Sequence, residues 1–191
     1  GRTLSSVVAE DPDRFAVEAE RFQDLDPTYV RALFSGLRDG LKQQKVFDWQ
    51  PVLRLCQWVV DQPREIPGRK VDYLEADPDW GWTRKAIAEL LLTGLESESW
   101  EIPIELRDEV WKVLRPLTDD PDPTPEHEER YGGSNMDPAE LSINTVRGKT
   151  MHAVMQYARW VRRHLEKQAD AKEQGIKIFS RLNSSRELWI D

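Results

Sequence analysis

Apolar residues recur along this chain at spacings of three and four, which places them on one face of successive helices. The clearest stripe follows Asp26 and covers 30–41, and a second covers 49–62, where Pro63 ends it. The alternation of apolar and polar positions that is typical of strands is almost absent. The pattern therefore predicts an all-α fold.

The same spacing predicts further helices along the chain. A short helix follows Asp11, another covers 83–96 with Thr83 as its cap, and Pro103 opens a third that ends near 118. The longest predicted helix covers 142–168, which is roughly 40 Å at 1.5 Å per residue.

Two glycines bear on the limits of the helices predicted after residue 142. Gly148 lies inside the longest predicted helix and indicates either close packing of a neighbour or a later helix start, because glycine weakens a helix interior. After Gly175, the apolar spacing predicts the first turns of a further helix.

Asp-Pro pairs punctuate the sequence. An Asp accepts hydrogen bonds from the first N–H groups of a helix, and Pro presets the first helical dihedral angle, so we expect several of these pairs to be helix starts. The pairs begin at Asp11, Asp26, Asp77, Asp120, Asp122 and Asp137.

The architecture predicted is about seven helices, mostly in antiparallel pairs. Helical pairs at intervals of roughly 40 residues are typical of a HEAT-like right-handed α-solenoid, in which each pair buries its faces against the next. The Asp-Pro marks are unevenly spaced, so an irregular helical bundle is the competing architecture. We expect one all-helical domain over 1–191, cut from a longer chain because it begins at Gly1 and ends without a polar tail.

A long acidic loop interrupts this domain at 119–136. It holds three prolines, two glycines and a high density of carboxylates. Long loops without secondary structure in compact domains are usually functional or mobile.

Composition narrows the class of protein. The chain has 191 residues and a net charge of −8, and its mean hydropathy of −0.67 is that of a water-facing protein. A single cysteine, Cys56, excludes an internal disulfide and a cysteine-rich zinc site. No apolar run approaches the roughly 20 residues that a membrane-spanning helix needs. We therefore expect a cytoplasmic protein with no membrane partner.

Residues that could carry chemistry are few. The three histidines, His127, His152 and His164, have no spacing that makes a zinc site, and no serine elbow is present. We expect no catalytic residue, no cofactor and no metal ion. An alternative is a small enzyme with its site in the 119–136 loop, where His127 and Glu128 precede Arg130 and Tyr131.

Tryptophan is the unusual component, with eight residues, and Trp80-Gly81-Trp82 is its densest cluster. Apolar residues at helical spacing normally pack inward, which favours a role in the core or between helices. Exposed tryptophan, in contrast, marks binding interfaces. Both interpretations stay open for Trp80 and Trp82.

Charge is distributed unevenly. Residues 1–146 hold 17 basic and 30 acidic side chains, a net of −13, whereas residues 147–181 hold nine basic and three acidic ones, a net of +6. This basic segment could contact nucleic-acid phosphates, contact the chain's own acidic loop, or form a solvated face. The overall charge of −8 opposes the nucleic-acid interpretation at long range.

Residues 142–154 read Ser-Ile-Asn-Thr-Val-Arg-Gly-Lys-Thr-Met-His-Ala-Val. This run is similar to helical-repeat regions of very large, mostly uncharacterised bacterial proteins, some of which belong to anti-phage defence systems, and the resemblance covers the final third of the chain. It implies a scaffold that joins an effector or sensor domain, and it implies no catalytic residues. The paired helices also resemble HEAT and armadillo repeats.

The function we expect is a non-catalytic scaffold for protein–protein contacts within a larger bacterial protein. Its partners would be other domains of the same polypeptide or a separate protein. The alternatives are a nucleic-acid-binding module that uses the basic segment 147–181, and the small enzyme of the 119–136 loop. The candidate contact residues are Trp80, Trp82, Tyr131, Arg147, Arg159, Arg162 and Arg163.

Overall fold

A computed structural model describes residues 2–69, 76–96, 99–123 and 144–187 of the chain. In these ranges every regular element is helical and none is a strand, which confirms the all-α prediction. The chain divides into two compact units, Gly1–Tyr157 and Ala158–Asp191. Among the helices described, none is long and apolar enough to cross a membrane.

Seven α-helices and two 3₁₀ turns form the described part of the chain. In chain order they are α1 (Arg2–Glu10), α2 (Pro12–Val17), a 3₁₀ turn (Ala19–Phe22), α3 (Pro27–Lys42), α4 (Trp49–Asp61), α5 (Gly81–Glu96), a second 3₁₀ turn (Ile104–Leu106), α6 (Arg107–Leu117) and α7 (Val146–Glu187).

Aspartates cap four of these helices: three directly precede the helix, and Asp122 caps α7 from 24 residues earlier in the chain. Asp11 and Asp26 accept from the N–H groups of α2 and α3, as the Asp-Pro pattern predicts. Asp48 caps α4 in the same way without a following proline, and this cap was not predicted. Asp77 and Asp120 begin no helix, since their carboxylates bind arginines instead. The pair at 137 lies outside the described residues.

The remaining helix limits differ from the prediction in three places. The pattern did not predict α1, whose apolar residues are too few to form a long stripe. Thr83 is not the cap of α5, which begins at Gly81; its hydroxyl donates to the Pro27 carbonyl at 3.1 Å. The last helix begins later, at Val146, and continues through 175 instead of restarting there.

This later start explains Gly148. It lies in the first turn of α7, and its backbone N–H donates to the Thr145 hydroxyl at 3.2 Å. The glycine therefore occupies a capped helix end, where its cost is smaller than in a helix interior.

In the first unit, most helices pack against the helix that is two positions earlier or later in the chain. Helix α3 packs against both α1 and α5, whereas α4 packs against α2, the first 3₁₀ turn and α6. Helices α1, α3 and α5 thus form one row and α4 lies beside α6, whereas α2 contacts α3 as well as α4.

Glycines permit close approaches between these helices. A Cβ at Gly36 of α3 would lie 2.5 Å from the Val8 Cβ of α1, and one at Gly94 of α5 would lie 2.5 Å from the Trp49 ring of α4. Any side chain at either position would force the helices apart, so these two glycines set the interhelical distance.

Helix α7 contributes its first turns to the same unit. The Gln156 side-chain amide donates to the Leu95 carbonyl at 3.2 Å, and the Tyr157 hydroxyl donates to the Arg107 carbonyl at 3.2 Å. The first of these bonds satisfies a carbonyl in the last turn of α5, which has no partner within its own helix.

Candidate functional site

The two tryptophans of the 80–82 cluster lie in opposite environments. Trp80 is buried and its ring meets that of Trp58 edge-to-face, with 5.5 Å between the ring centroids. Trp82, in the first turn of α5, leaves 46% of its surface exposed. The core interpretation therefore holds for Trp80, and the cluster leaves one exposed aromatic side chain, Trp82.

An arginine fixes one face of Trp82. The Arg31 guanidinium carbon of α3 lies 5.5 Å from the centroid of the Trp82 ring, within the range of a cation–π contact. Because Arg31 comes from a different helix, this contact favours the orientation of the indole in which its face lies against α3.

A buried carboxylate in turn fixes Arg31. The Arg31 Nε and Nη2 atoms donate to the two Asp77 oxygens at 2.7 and 2.9 Å, a bidentate pair. Asp77 is 1% exposed, and its backbone N–H donates to the Thr28 hydroxyl at 2.8 Å. The carboxylate thus holds the arginine from the protein side and leaves the indole on the solvent side.

The start of α3 supports this arrangement. The Asp26 carboxylate accepts from the Thr28 N–H at 2.9 Å and from Arg69 at 2.6 Å. Burial raises the pKa of Asp26, but the hydrogen bonds from Thr28 and the pairing with Arg69 outweigh it, so the pKa lies below its ordinary value. The carboxylate is therefore charged at neutral pH, and the helix end that carries Arg31 is capped.

A second set of charges lies beneath the start of α5. Asp120 is fully buried, with Arg84 Nη1 at 3.0 Å and Arg64 Nε at 3.5 Å from its oxygens. Arg64 also pairs with Asp79 at 3.1 Å, and Asp79 accepts from the Gly81 N–H at 2.7 Å. Two cations and two anions balance here, as buried charges require, so the set stabilises the fold instead of presenting a net charge.

A third aromatic feature was not predicted. Trp111 of α6 is 39% exposed and stacks on Tyr157 of α7, with ring centroids 5.5 Å apart. Burial, together with the nearby Asp108, raises the pKa of Tyr157, so it is a neutral phenol. The spacing within either helix gives no signal for this pair, because it depends on how α6 and α7 meet.

The structure separates the predicted basic residues. In the first unit, Arg147 donates to the Pro123 carbonyl at 3.2 Å. In the second unit, Arg159 and Arg162 are exposed and Arg163 is half-buried. Arg162 pairs with Glu166 at 2.8 Å, an exposed pair one helical turn apart.

The loop candidates lie outside the described residues. Tyr131 and the proposed enzyme residues His127, Glu128 and Arg130 belong to the segment 124–143. The described part of the 119–136 loop ends at Pro123.

The described ranges include neither a cluster of metal-ligating side chains nor an accessible thiol. No group of three or more His, Cys, Asp or Glu side chains in these ranges could hold a metal ion. Cys56 is fully buried in α4, and burial raises its pKa far above the ordinary value, so it stays an unreactive thiol. The exposed aromatic and cationic groups around Trp82 are suited to contacting another molecule.

Sequence reasoning identified Trp82 but missed Arg31 and Asp77. These two residues are 46 positions apart, and only the packing of α3 beside α5 brings them together. The Asp-Pro pattern predicted that Asp77 is a helix cap, and so it gave no indication that Asp77 pairs with Arg31.

No family model, no curated protein and no solved structure matches this chain.

Proposed function

We propose that this chain is a non-catalytic α-helical scaffold that binds protein through a contact centred on Trp82 and Arg31. The partner is another domain of the same large bacterial polypeptide or a separate cytoplasmic protein. The observation that carries the proposal is an exposed tryptophan that lies against an arginine held by a buried carboxylate. Trp82 is 46% exposed, the Arg31 guanidinium lies 5.5 Å from its ring centroid, and Asp77 pairs with Arg31.

Restraint of these two side chains favours binding, because an interface normally lowers the conformational entropy of the side chains that it contacts. About 0.5–1.5 kcal/mol is lost for each flexible side chain that an interface immobilises. Trp82 and Arg31 already contact their neighbours in the folded protein, so binding removes less of their conformational entropy. Tryptophan and arginine are also the residue types most enriched at the energetic centres of interfaces.

Arg31 adds specificity to this contact. Its Nε and Nη2 atoms bind Asp77, and no atom of the described residues accepts from its Nη1. Three of its five N–H donors therefore remain for a carbonyl or carboxylate of the partner. We infer that the partner presents an apolar group with an acceptor oxygen next to it.

The order of helix packing supports a HEAT-like solenoid as the architecture of this scaffold. In such solenoids, alternate helices form two rows, and each helix packs against the equivalent helix of the next repeat. The row α1–α3–α5 and the packing of α4 against α6 follow that order. The helices differ in length, which agrees with the irregular spacing of the Asp-Pro pairs along the sequence.

Site-specific crosslinking tests the contact. A photoreactive phenylalanine analogue at position 82, introduced in the cell that makes the protein, is expected to give a discrete crosslinked product that mass spectrometry identifies. The matched control places the same analogue at position 111, which is also an exposed tryptophan. Products that form equally from both positions would contradict a defined site.

The purified pair then gives the energetic test. Trp82→Ala is expected to weaken binding about 30-fold, the effect of losing roughly 2 kcal/mol at an interface centre. Trp111→Ala is expected to leave the affinity within about twofold, and circular dichroism checks that both variants fold. Unchanged binding by Trp82→Ala would overturn the proposal.

Nucleic acid is the second candidate partner, favoured by the exposure of Arg159 and Arg162 on consecutive turns of the basic segment 147–181. Contact with phosphates would make the affinity fall steeply with salt concentration. Gel retardation at low salt, with Arg159→Gln and Arg162→Gln as variants, tests this alternative. Absence of retardation for both duplex and single strands would exclude it.

A further inference from the structure

A groove lies between α4 and α6, away from Trp82. Its volume is about 260 Å³. Leu53 of α4 and the half-buried Leu106, the last residue of the second 3₁₀ turn, both line it, so the groove has an apolar residue on each side. Its lining residues are Gln50, Leu53, Arg54, Gln57, Leu106, Glu109 and Lys112.

The size of the groove limits its ligand. Sites for drug-sized molecules and cofactors typically have volumes of about 300–1,000 Å³. A groove of about 260 Å³ is below that range, and it suits one aliphatic side chain together with the atoms directly attached to it. A single terminal residue fits this description better than a nucleotide does.

The charged groups define the rest of the ligand. Arg54 already has a carboxylate partner, because its Nε donates a hydrogen bond to Glu20 at 2.7 Å. Lys112 has no ion-pair partner among the described residues. The Lys112 ammonium can therefore pair with the carboxylate of a ligand. The Glu109 carboxylate, one helical turn before it, can accept a hydrogen bond from an N–H group of the same ligand.

We propose that this groove binds the carboxyl-terminal residue of a peptide when that residue is leucine or a similar aliphatic one. The side chain packs on Leu53 and Leu106, the terminal carboxylate pairs with Lys112, and Glu109 accepts from the peptide N–H. Only a terminal residue carries all three groups on one Cα atom. An internal acidic residue would need a neighbouring residue to supply the aliphatic group, which exceeds the volume of the groove. This inference is independent of the Trp82 contact.

The test uses N-acetyl-leucine as the probe and ¹⁵N–¹H correlation spectra of the full chain as the measurement. We expect saturable shifts confined to residues 50–57 and 106–112, with a dissociation constant of about 1 mM, the range for a ligand of this size. N-acetyl-leucinamide, which lacks the charge, is expected to bind about threefold more weakly, because an exposed ion pair contributes little. The acid 4-methylvalerate, which lacks the N–H, is also expected to bind more weakly.

Variants identify the cation. Lys112→Gln is expected to remove the difference between acid and amide, whereas the exposed Lys42→Gln on α3 is expected to leave it unchanged. Equal affinity for acid and amide in the unsubstituted protein would overturn the proposal, as would shifts that lie elsewhere. Equal affinity for 4-methylvalerate would assign the groove to aliphatic acids instead of peptide ends. Groove shifts that follow protein concentration without a probe would assign it to a second copy of the chain.

Discussion

The Asp122 carboxylate accepts a hydrogen bond from the Val146 backbone N–H at 2.9 Å, and so caps a helix that begins 24 residues further along the chain. The Arg147 N–H adds a second bond, to the Asp122 carbonyl, at 3.1 Å. A cap supplied from this distance fixes the start of α7 to the end of the segment that follows α6. Together with the bonds of Gln156 and Tyr157, this connection joins the first turns of α7 to the rest of the first unit.

Removal of this cap is expected to loosen the start of α7. Asp122→Ala should lower the free energy of unfolding by about 1 kcal/mol, the usual loss for an N-terminal cap. Urea unfolding measures the loss, and hydrogen exchange of the amides at 146–150 should accelerate. Asp119→Ala is the control, since this nearby carboxylate is exposed, and it should change neither quantity. Equal effects of the two variants would show that Asp122 is not the cap.

The Arg31–Asp77 pair gives the second prediction. Asp77→Asn should lower the free energy of unfolding by about 2 kcal/mol, because it removes the charge from a carboxylate that is 1% exposed and leaves Arg31 without its partner. The loss stays below that of a fully buried pair, since the arginine side chain is 37% exposed. Chemical unfolding measures it.

An exposed ion pair serves as the comparison for this prediction. Glu18 and Arg21 lie 3.2 Å apart with side chains 52% and 80% exposed. Glu18→Gln should therefore change the unfolding free energy by less than about 0.5 kcal/mol. Similar losses for Asp77→Asn and Glu18→Gln would mean that burial of Asp77 contributes nothing.

The sequence predicted the helices well where the apolar stripe was long. Helices α3 and α4 appear almost at their predicted limits, because both have a long apolar periodicity, which in α3 agrees with the predicted Asp26 cap. It missed α1, which is helical mainly through its packing on α3, where Gly36 allows the close approach. Local pattern carries little information about an element that a neighbour stabilises.

The candidate site could be predicted only in part. Trp80 and Trp82 are two positions apart at the beginning of a helix, so one can turn inward while the other faces solvent. The sequence does not say which one is buried, because the answer depends on Trp58 from another helix. The partner of Trp82, Arg31, likewise comes from a helix that is distant in the chain.

Gly94 gives the third prediction. A Cβ there would lie 2.5 Å from the Trp49 ring and 3.0 Å from the Ile102 side chain. Gly94→Ala should therefore destabilise the protein by about 1–3 kcal/mol through overpacking, although alanine is the better helix former. Thermal unfolding measures the change. Thr93→Ala in the same turn is the control, and it should stay within about 0.5 kcal/mol. A rise in stability for Gly94→Ala would contradict the close contact.

The cap of α3 gives a prediction in pH. The pKa of Asp26 is lower in the folded protein than its ordinary value, so the folded state favours the charged carboxylate. Its contribution to stability is therefore complete above the ordinary pKa of about 4 and is lost as the pH falls through the lower folded value. Asp26→Asn keeps a side-chain oxygen for the cap but loses the pairing with Arg69.

This variant should unfold about 1 kcal/mol more easily than the unsubstituted protein at pH 7, a modest value because the Asp26 side chain is one-third exposed. The difference should shrink as the pH drops below about 4, since the carboxylate of the unsubstituted protein then becomes protonated as well. Urea unfolding across this range measures it, with Glu65→Gln in an exposed position as the control. A difference that stays constant from pH 7 to pH 2 would show that the charge of Asp26 does not stabilise the start of α3.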